Sequence, residues 1–148
     1  MMRSGLLFLV IAVVLAQVDA QEPLPQTSGK KSIQVFVTTN EQGNAITTFS
    51  ADVSTIYAIW KGESLAAGDR IKAIWIAEDI GDAGPKESKI LEAAATVYKS
   101  NEHGAFSLSR PTGKNWPVGK YTVAIYINGS LAQRAKFRIN QGVQIETH

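Results

Sequence analysis

Apolar and polar residues alternate with a period of two through most of the chain after residue 31. Because successive side chains of a β-strand point to opposite faces, this period predicts half-buried strands rather than helices. The runs that show it are bounded by glycine, proline or polar turn residues. They are Ser32–Thr39, Thr55–Trp60, Asp69–Ala77, Gly104–Ser109, Lys120–Ile127 and Leu131–Ile139. We therefore expect an all-β domain.

The segment Glu87–Lys99 fits two structures. It contains three consecutive alanines, and its apolar residues fit a helical spacing moderately well. The same residues also alternate, and turns recur at strand-like intervals on both sides of the segment. We predict a strand here and leave the helix as the alternative.

The last two runs are joined by Asn128-Gly129. This pair favours a type I′ turn, in which both central residues adopt a positive φ. With strong alternation on either side, the pair predicts an antiparallel hairpin formed by Lys120–Ile127 and Leu131–Ile139.

The first 20 residues have the features of a secretory signal peptide. Arg3 supplies a positive charge, Leu6–Ala16 is an unbroken apolar run, and a small residue, Ala20, ends the segment. The run is too short to span a bilayer, although an uncleaved anchor stays the alternative. We predict a signal peptide over 1–20, a flexible proline-containing tether over 21–31 and no membrane span after cleavage. The expected location is secreted or periplasmic.

Composition narrows the possible functions. The chain has 45% hydrophobic and 19% charged residues, which is typical of a globular protein. We predict one domain over 32–140 and a C-terminal tail over 141–148. It has no cysteine, which excludes disulfides, thiolate metal sites and cysteine nucleophiles. The net charge of +2 is too small to suggest nucleic acid, so we expect no nucleic-acid partner.

The residues that usually carry catalysis or bind metals are scarce. The two histidines are His103, in a polar loop, and His148, at the end of the chain, and no G-x-S-x-G motif presents a serine nucleophile. Glu78, Asp79 and Asp82 share a glycine-containing loop in which Ca²⁺ is conceivable, but their spacing does not match an EF-hand. We predict no catalytic residue, no metal site and no cofactor, and hence a protein that is not an enzyme.

Aromatic side chains are the remaining candidates for ligand binding. Trp60, Trp116 and Tyr126 would form a stacking platform for a sugar or a peptide if they were exposed on one face. The alternative is that the two tryptophans cap the ends of the core.

Several motifs together resemble a known family. Trp75 lies in the middle of a predicted strand, and residues 116–121 read W-x-x-G-x-Y before the next strand. An N-G turn and a closing strand that ends in F-x-I at 137–139 follow. This order is similar to that of cysteine-free exported immunoglobulin-like or fibronectin-type modules of bacteria.

The resemblance implies a two-sheet antiparallel sandwich of about seven strands. It also implies that the Tyr121 hydroxyl bonds to the upstream backbone and that Val123 points into the core. The function expected from it is an exported, non-enzymatic binding module whose partner is another exported protein or a cell-envelope component. The alternative is a small-ligand or carbohydrate-binding sandwich that uses exposed aromatics. The specificity is left open, since the fold hosts many functions.

Overall fold

The computed structural model describes residues 30–100 and 102–142. The predicted leader, most of the predicted tether and most of the predicted tail lie outside these residues. The described part forms eight strands and one short 3₁₀ turn, Gly81–Ala83. The strands are β1 (Ser32–Thr38), β2 (Thr48–Ser50), β3 (Thr55–Glu63), β4 (Arg70–Asp79), β5 (Ser88–Thr96), β6 (His103–Ser109), β7 (Gly119–Ile127) and β8 (Ser130–Asn140).

The strands form two sheets that enclose one core. The smaller sheet has the order β1-β3-β6, and the larger has the order β2-β8-β7-β4-β5. The prediction of an all-β protein is confirmed, and the two sheets are compatible with the predicted sandwich. The prediction that all strands pair antiparallel is wrong, because β2 runs parallel to β8. The three-residue β2 has too few residues to show an alternation, so the sequence pattern did not reveal it.

Alternation along each strand decides which side chains enter the core. In β4, every second residue from Ile71 to Ala77 is buried, and the residues between them face the other side of the sheet. Phe137 lies at the centre of an aromatic cluster on the inner face of the larger sheet. Its ring stacks on Tyr121 at 5.4 Å and meets Phe49 and Trp75 edge-on at 5.5 and 6.2 Å. Offset and edge-to-face contacts of this kind stabilise a core beyond the area they bury.

The ambiguous segment Glu87–Lys99 is a strand, as we predicted. It forms β5, which pairs antiparallel with β4 and lies at the edge of the larger sheet. Most of its side chains are exposed, including Ile90 and Leu91. Because neither face of β5 is deeply buried, its sequence carries only a weak two-residue period.

The predicted hairpin is confirmed by β7 and β8. Asn128 and Gly129 adopt φ angles of 49° and 88°, both in the region that a type I′ turn requires. The strands pair antiparallel from this turn back to Gly119.

Asp69 connects the hairpin to the rest of the domain. Its side chain accepts hydrogen bonds from the Ala66 amide at 2.8 Å, from Lys31 Nζ at 2.7 Å and from Asn128 Nδ2 at 2.9 Å. The Ala66 bond, followed by those from Lys31 and Asn128, lowers the pKa of Asp69 to about 2. The carboxylate therefore holds together the approach to β1, the turn before β4 and the β7–β8 hairpin.

Candidate functional site

The outer face of the larger sheet carries a row of cations on β8. Arg134, Lys136 and Arg138 alternate with core residues such as Phe137 and Ile139, so all three point away from the core. They are exposed, and nothing in the described part of the chain covers them.

Three further cations lie on the same side of the sheet. They are Lys120 on β7, Lys72 on β4 and Lys89 on β5. We call this surface the cationic face; its cations are Lys72, Lys89, Lys120, Arg134, Lys136 and Arg138.

Two carboxylates neutralise part of the cationic face. Glu92 forms ion pairs with Lys89 at 3.0 Å and Lys72 at 3.3 Å, and its pKa is lowered by hydrogen bonds from Lys89 first and Lys72 second. Glu78 lies 3.9 Å from Lys136. Within residues 30–100 and 102–142, no carboxylate oxygen lies within 4 Å of the cationic nitrogens of Lys120, Arg134 or Arg138.

A groove of about 440 Å³ opens at one end of the cationic face. Lys120 and Arg138 face each other across the β7–β8 ladder, and Thr48 lies beside Arg138 on β2. These three residues line the groove together with Thr47, Glu78 and Lys136. Its walls therefore offer cationic and hydroxyl donors, which are the groups that bind oxyanions.

The predicted ligand-binding aromatics do not lie together. Tyr126 is half-buried on the cationic face, and Lys72 Nζ lies 5.5 Å from the centre of its ring. Trp60 is only 4% exposed and lies against Gly104, where an added Cβ would approach the indole to 2.8 Å. Trp116 is 5% exposed, and its indole nitrogen donates to the Val53 carbonyl at 2.7 Å. A sugar platform made of exposed indoles is therefore not present on this surface.

The acidic residues that the sequence places in one loop are divided in the structure: Glu78 and Asp79 end β4, and Asp82 lies in the 3₁₀ turn that follows. Asp79 accepts a hydrogen bond from the Gly81 amide at 3.1 Å, and Glu78 faces Lys136 across the sheet. Among the described residues, no three histidine, aspartate or glutamate side chains are grouped so that they could hold a metal ion. The same residues include no helix that is long and apolar enough to cross a membrane.

The order of residues in one strand indicates the cationic face, although the net charge of the whole chain does not. Arg134, Lys136 and Arg138 occupy alternate positions of the predicted strand Leu131–Ile139, opposite Ala135, Phe137 and Ile139. A period-two pattern of cations on one side of a strand predicts a charged sheet face. The net charge of +2 averages these cations with acids elsewhere in the chain.

Comparisons with known proteins indicate a fold but no family. No protein-family model matches the chain, and no curated protein matches it. Among solved structures, the chain is similar to the Pseudomonas fluorescens alkylpurine DNA glycosylase AlkC bound to DNA containing an abasic site analog, with a TM-score of 0.50 and 14% identity. The match covers 75% of this chain and 30% of that chain. At this identity, the likeness concerns the fold alone.

This match contradicts three expectations from the sequence: an exported non-enzymatic binding module, a protein that is not an enzyme, and a protein without a nucleic-acid partner. The structure that shares the fold belongs to an enzyme, and that enzyme is bound to DNA. The expectations were drawn from whole-chain quantities. Net charge and histidine content describe the whole chain, whereas binding depends on where the charges lie on the surface.

Proposed function

We propose that this protein binds DNA through the sugar–phosphate backbone and that the cationic face is the binding surface. The observation that carries the proposal is the segregation of six cations on one side of one sheet, three of them without a carboxylate partner among the described residues. Unpaired cations on an exposed surface are available to replace the counterions of a polyanion.

The geometry of β8 suits a linear polyanion. Alternate residues of a strand are about 6.7 Å apart, so Arg134, Lys136 and Arg138 span roughly 13 Å. Phosphates of one DNA strand recur about every 3.4 Å along the helix axis, so this row lies alongside about four of them. Two of the three cations are arginines, whose planar guanidinium groups donate two parallel hydrogen bonds to a phosphate.

The solved structure adds support at the level of the fold. The glycosylase that shares this fold is bound to DNA, and the matched part is less than a third of that chain. The affinity expected for a surface that contacts only the backbone is that of non-specific binding, with a Kd of about 10⁻⁴–10⁻⁶ M at physiological salt.

The test is a titration of a fluorescein-labelled DNA duplex, followed by anisotropy at several salt concentrations. The variant Arg134→Gln/Arg138→Gln removes two unpaired cations of the cationic face. Its salt slope should be smaller by about two, because each phosphate contact contributes about 0.9. The control Lys61→Gln/Lys99→Gln makes the same change in net charge elsewhere and should bind like the wild type.

Two results would contradict the proposal. One is equal weakening in both double variants, which would mean that only net charge matters. The other is no binding of the duplex at low salt, whether or not the protein binds another polyanion such as heparin.

We propose in addition that the domain is an immunoglobulin-like sandwich. Three features that such a sandwich is expected to have support this proposal: one hydrogen bond and two buried side chains. The Tyr121 hydroxyl donates to the Pro117 carbonyl at 2.5 Å, Trp75 is fully buried in the larger sheet, and Val123 points into the core. Burial raises the pKa of Tyr121 to about 12, so the hydroxyl stays protonated and able to donate at neutral pH.

The signal peptide stays a prediction. If it is correct, the mature protein begins at Gln21 and meets DNA outside the cytoplasm. Mass spectrometry of the intact protein purified from its native host distinguishes a mature chain from one that keeps residues 1–20.

A further inference from the structure

We infer that the groove at the Lys120–Arg138 end of the cationic face is its principal phosphodiester-binding position. The inference rests on the proposed function and deepens it, since it assigns one phosphate contact to particular residues. The starting observation is that Lys120 and Arg138 are direct cross-strand partners on β7 and β8. Like charges that face each other in an antiparallel pair have Cβ atoms about 5 Å apart and destabilise the sheet.

Among the described residues, no carboxylate oxygen lies within 4 Å of the cationic nitrogens of Lys120 or Arg138. Asp79 is the partner of Lys120 on β4, but its Oδ1 accepts the Gly81 amide and its Oδ2 lies 3.9 Å from Lys86 Nζ. Glu78 also lines the groove, and its ion pair is with Lys136. Lys120 and Arg138 are therefore a repulsive pair that a bound anion would convert into two attractive contacts.

The groove supplies the other contacts that a phosphate needs. Thr48 is the parallel-strand partner of Arg138, and both Thr47 and Thr48 are exposed at the groove wall. Threonine hydroxyls donate to phosphate oxygens, and an arginine beside them adds two parallel donors. The volume of about 440 Å³ leaves room for the sugar on either side of the phosphate.

The rest of the cationic face lacks this combination. Arg134 has no carboxylate partner within residues 30–100 and 102–142, but its cross-strand partner is Ala124, so no second cation faces it. Lys72 and Lys89 share the carboxylate of Glu92. A phosphate in the groove therefore meets two unneutralised cations at one point, whereas elsewhere on the face it meets one.

The experiment compares single substitutions that change the charge equally. Lys120→Gln and Arg138→Gln remove groove cations, and Arg134→Gln is the matched control on the same strand face. We expect each groove variant to weaken binding of a labelled DNA duplex about tenfold and Arg134→Gln about twofold to threefold. Inorganic phosphate, titrated at constant ionic strength, should shift the amide resonances of Thr48, Lys120 and Arg138 in the wild type and not in Arg138→Gln.

The experiment distinguishes failure of the groove inference from failure of the proposed DNA binding. If the wild type binds the duplex and all three variants weaken it equally, the groove is not a preferred position, and the proposed function still stands. If phosphate shifts the groove resonances but the duplex does not bind, the anion site stands and the proposed function is wrong. Thermal unfolding in phosphate-free buffer shows that the variants are folded, and Lys120→Gln should melt at or above the wild-type temperature because it removes the repulsion.

Discussion

Replacement of Asp69 by asparagine should destabilise the domain in a way that depends on pH. Asp69 is 6% exposed, and its carboxylate accepts hydrogen bonds from Ala66, Lys31 and Asn128. Asparagine keeps the shape but loses the charge, and it presents an amide group toward donors. The displacement of the Asp69 pKa from 3.8 to about 2 corresponds to about 2 kcal/mol in favour of the ionised form. Because the Lys31 side chain is 44% exposed, water screens part of this, and we expect a loss of about 1–2 kcal/mol at pH 7.

The sign of the pH dependence follows from the lowered pKa. Folding favours the ionised carboxylate, so its contribution is complete above about pH 5 and is lost as the pH falls through 3.8 toward 2. About half of the difference between wild type and Asp69→Asn should remain at pH 3, and little at pH 2. Urea unfolding followed by tryptophan fluorescence measures it, since Trp60, Trp75 and Trp116 are all buried.

A matched control is Asp82→Asn, which removes an exposed carboxylate in the 3₁₀ turn. It should change the free energy of unfolding by less than about 0.5 kcal/mol at each pH. A difference between Asp69→Asn and wild type that stays constant from pH 7 to pH 2 would refute the assignment to the charge of Asp69. So would a difference at pH 7 no larger than that of the control.

Three other substitutions test the packing around β7. Tyr121→Phe removes the hydrogen bond to the Pro117 carbonyl and should cost about 1–2 kcal/mol in urea unfolding, with no change in the far-ultraviolet circular dichroism spectrum. Gly119→Ala should cost about 2–4 kcal/mol, because the glycine has a φ of 156° and an added Cβ would lie 2.2 Å from the Asp79 carbonyl oxygen. Gly113 also has a positive φ, but an added Cβ there would have no atom within 4 Å, so Gly113→Ala should cost only about 1 kcal/mol of unfolding free energy. Equal losses of stability in the two alanine variants would refute the steric argument.

The sequence was sufficient for the parts of the fold that local patterns determine. Asn128-Gly129 specified its turn through backbone conformation. The second half of β8 was predictable from its alternation, because Phe137 and Ile139 are buried and Lys136 and Arg138 between them are exposed. The pairing of β2 with β8 could not be predicted, since it depends on a three-residue strand that meets a distant segment of the chain.

The candidate site was missed because its parts are charged and dispersed in the sequence. Lys120 and Arg138 become neighbours only through the register of the β7–β8 hairpin. The hairpin itself was predicted, so the proximity of Lys120 to Arg138 could have been inferred from the predicted pairing of the two strands. The aromatic candidates Trp60 and Trp116 were chosen by residue type, which does not distinguish a surface ring from a core ring.

The parallel pairing of β2 with β8 has a consequence for how the protein acquires its groove during folding. Thr48 and Arg138, which are neighbours there, lie far apart in the sequence, with five strands between β2 and β8. Ordering such a distant contact requires closure of a long loop, which is slow compared with formation of the β7–β8 hairpin. In a complete chain that refolds, we therefore expect the β7–β8 hairpin, with the cations of β8, to form before Thr48 reaches Arg138. The complete groove forms only when β2 has paired with β8, and no fragment that lacks either strand contains it.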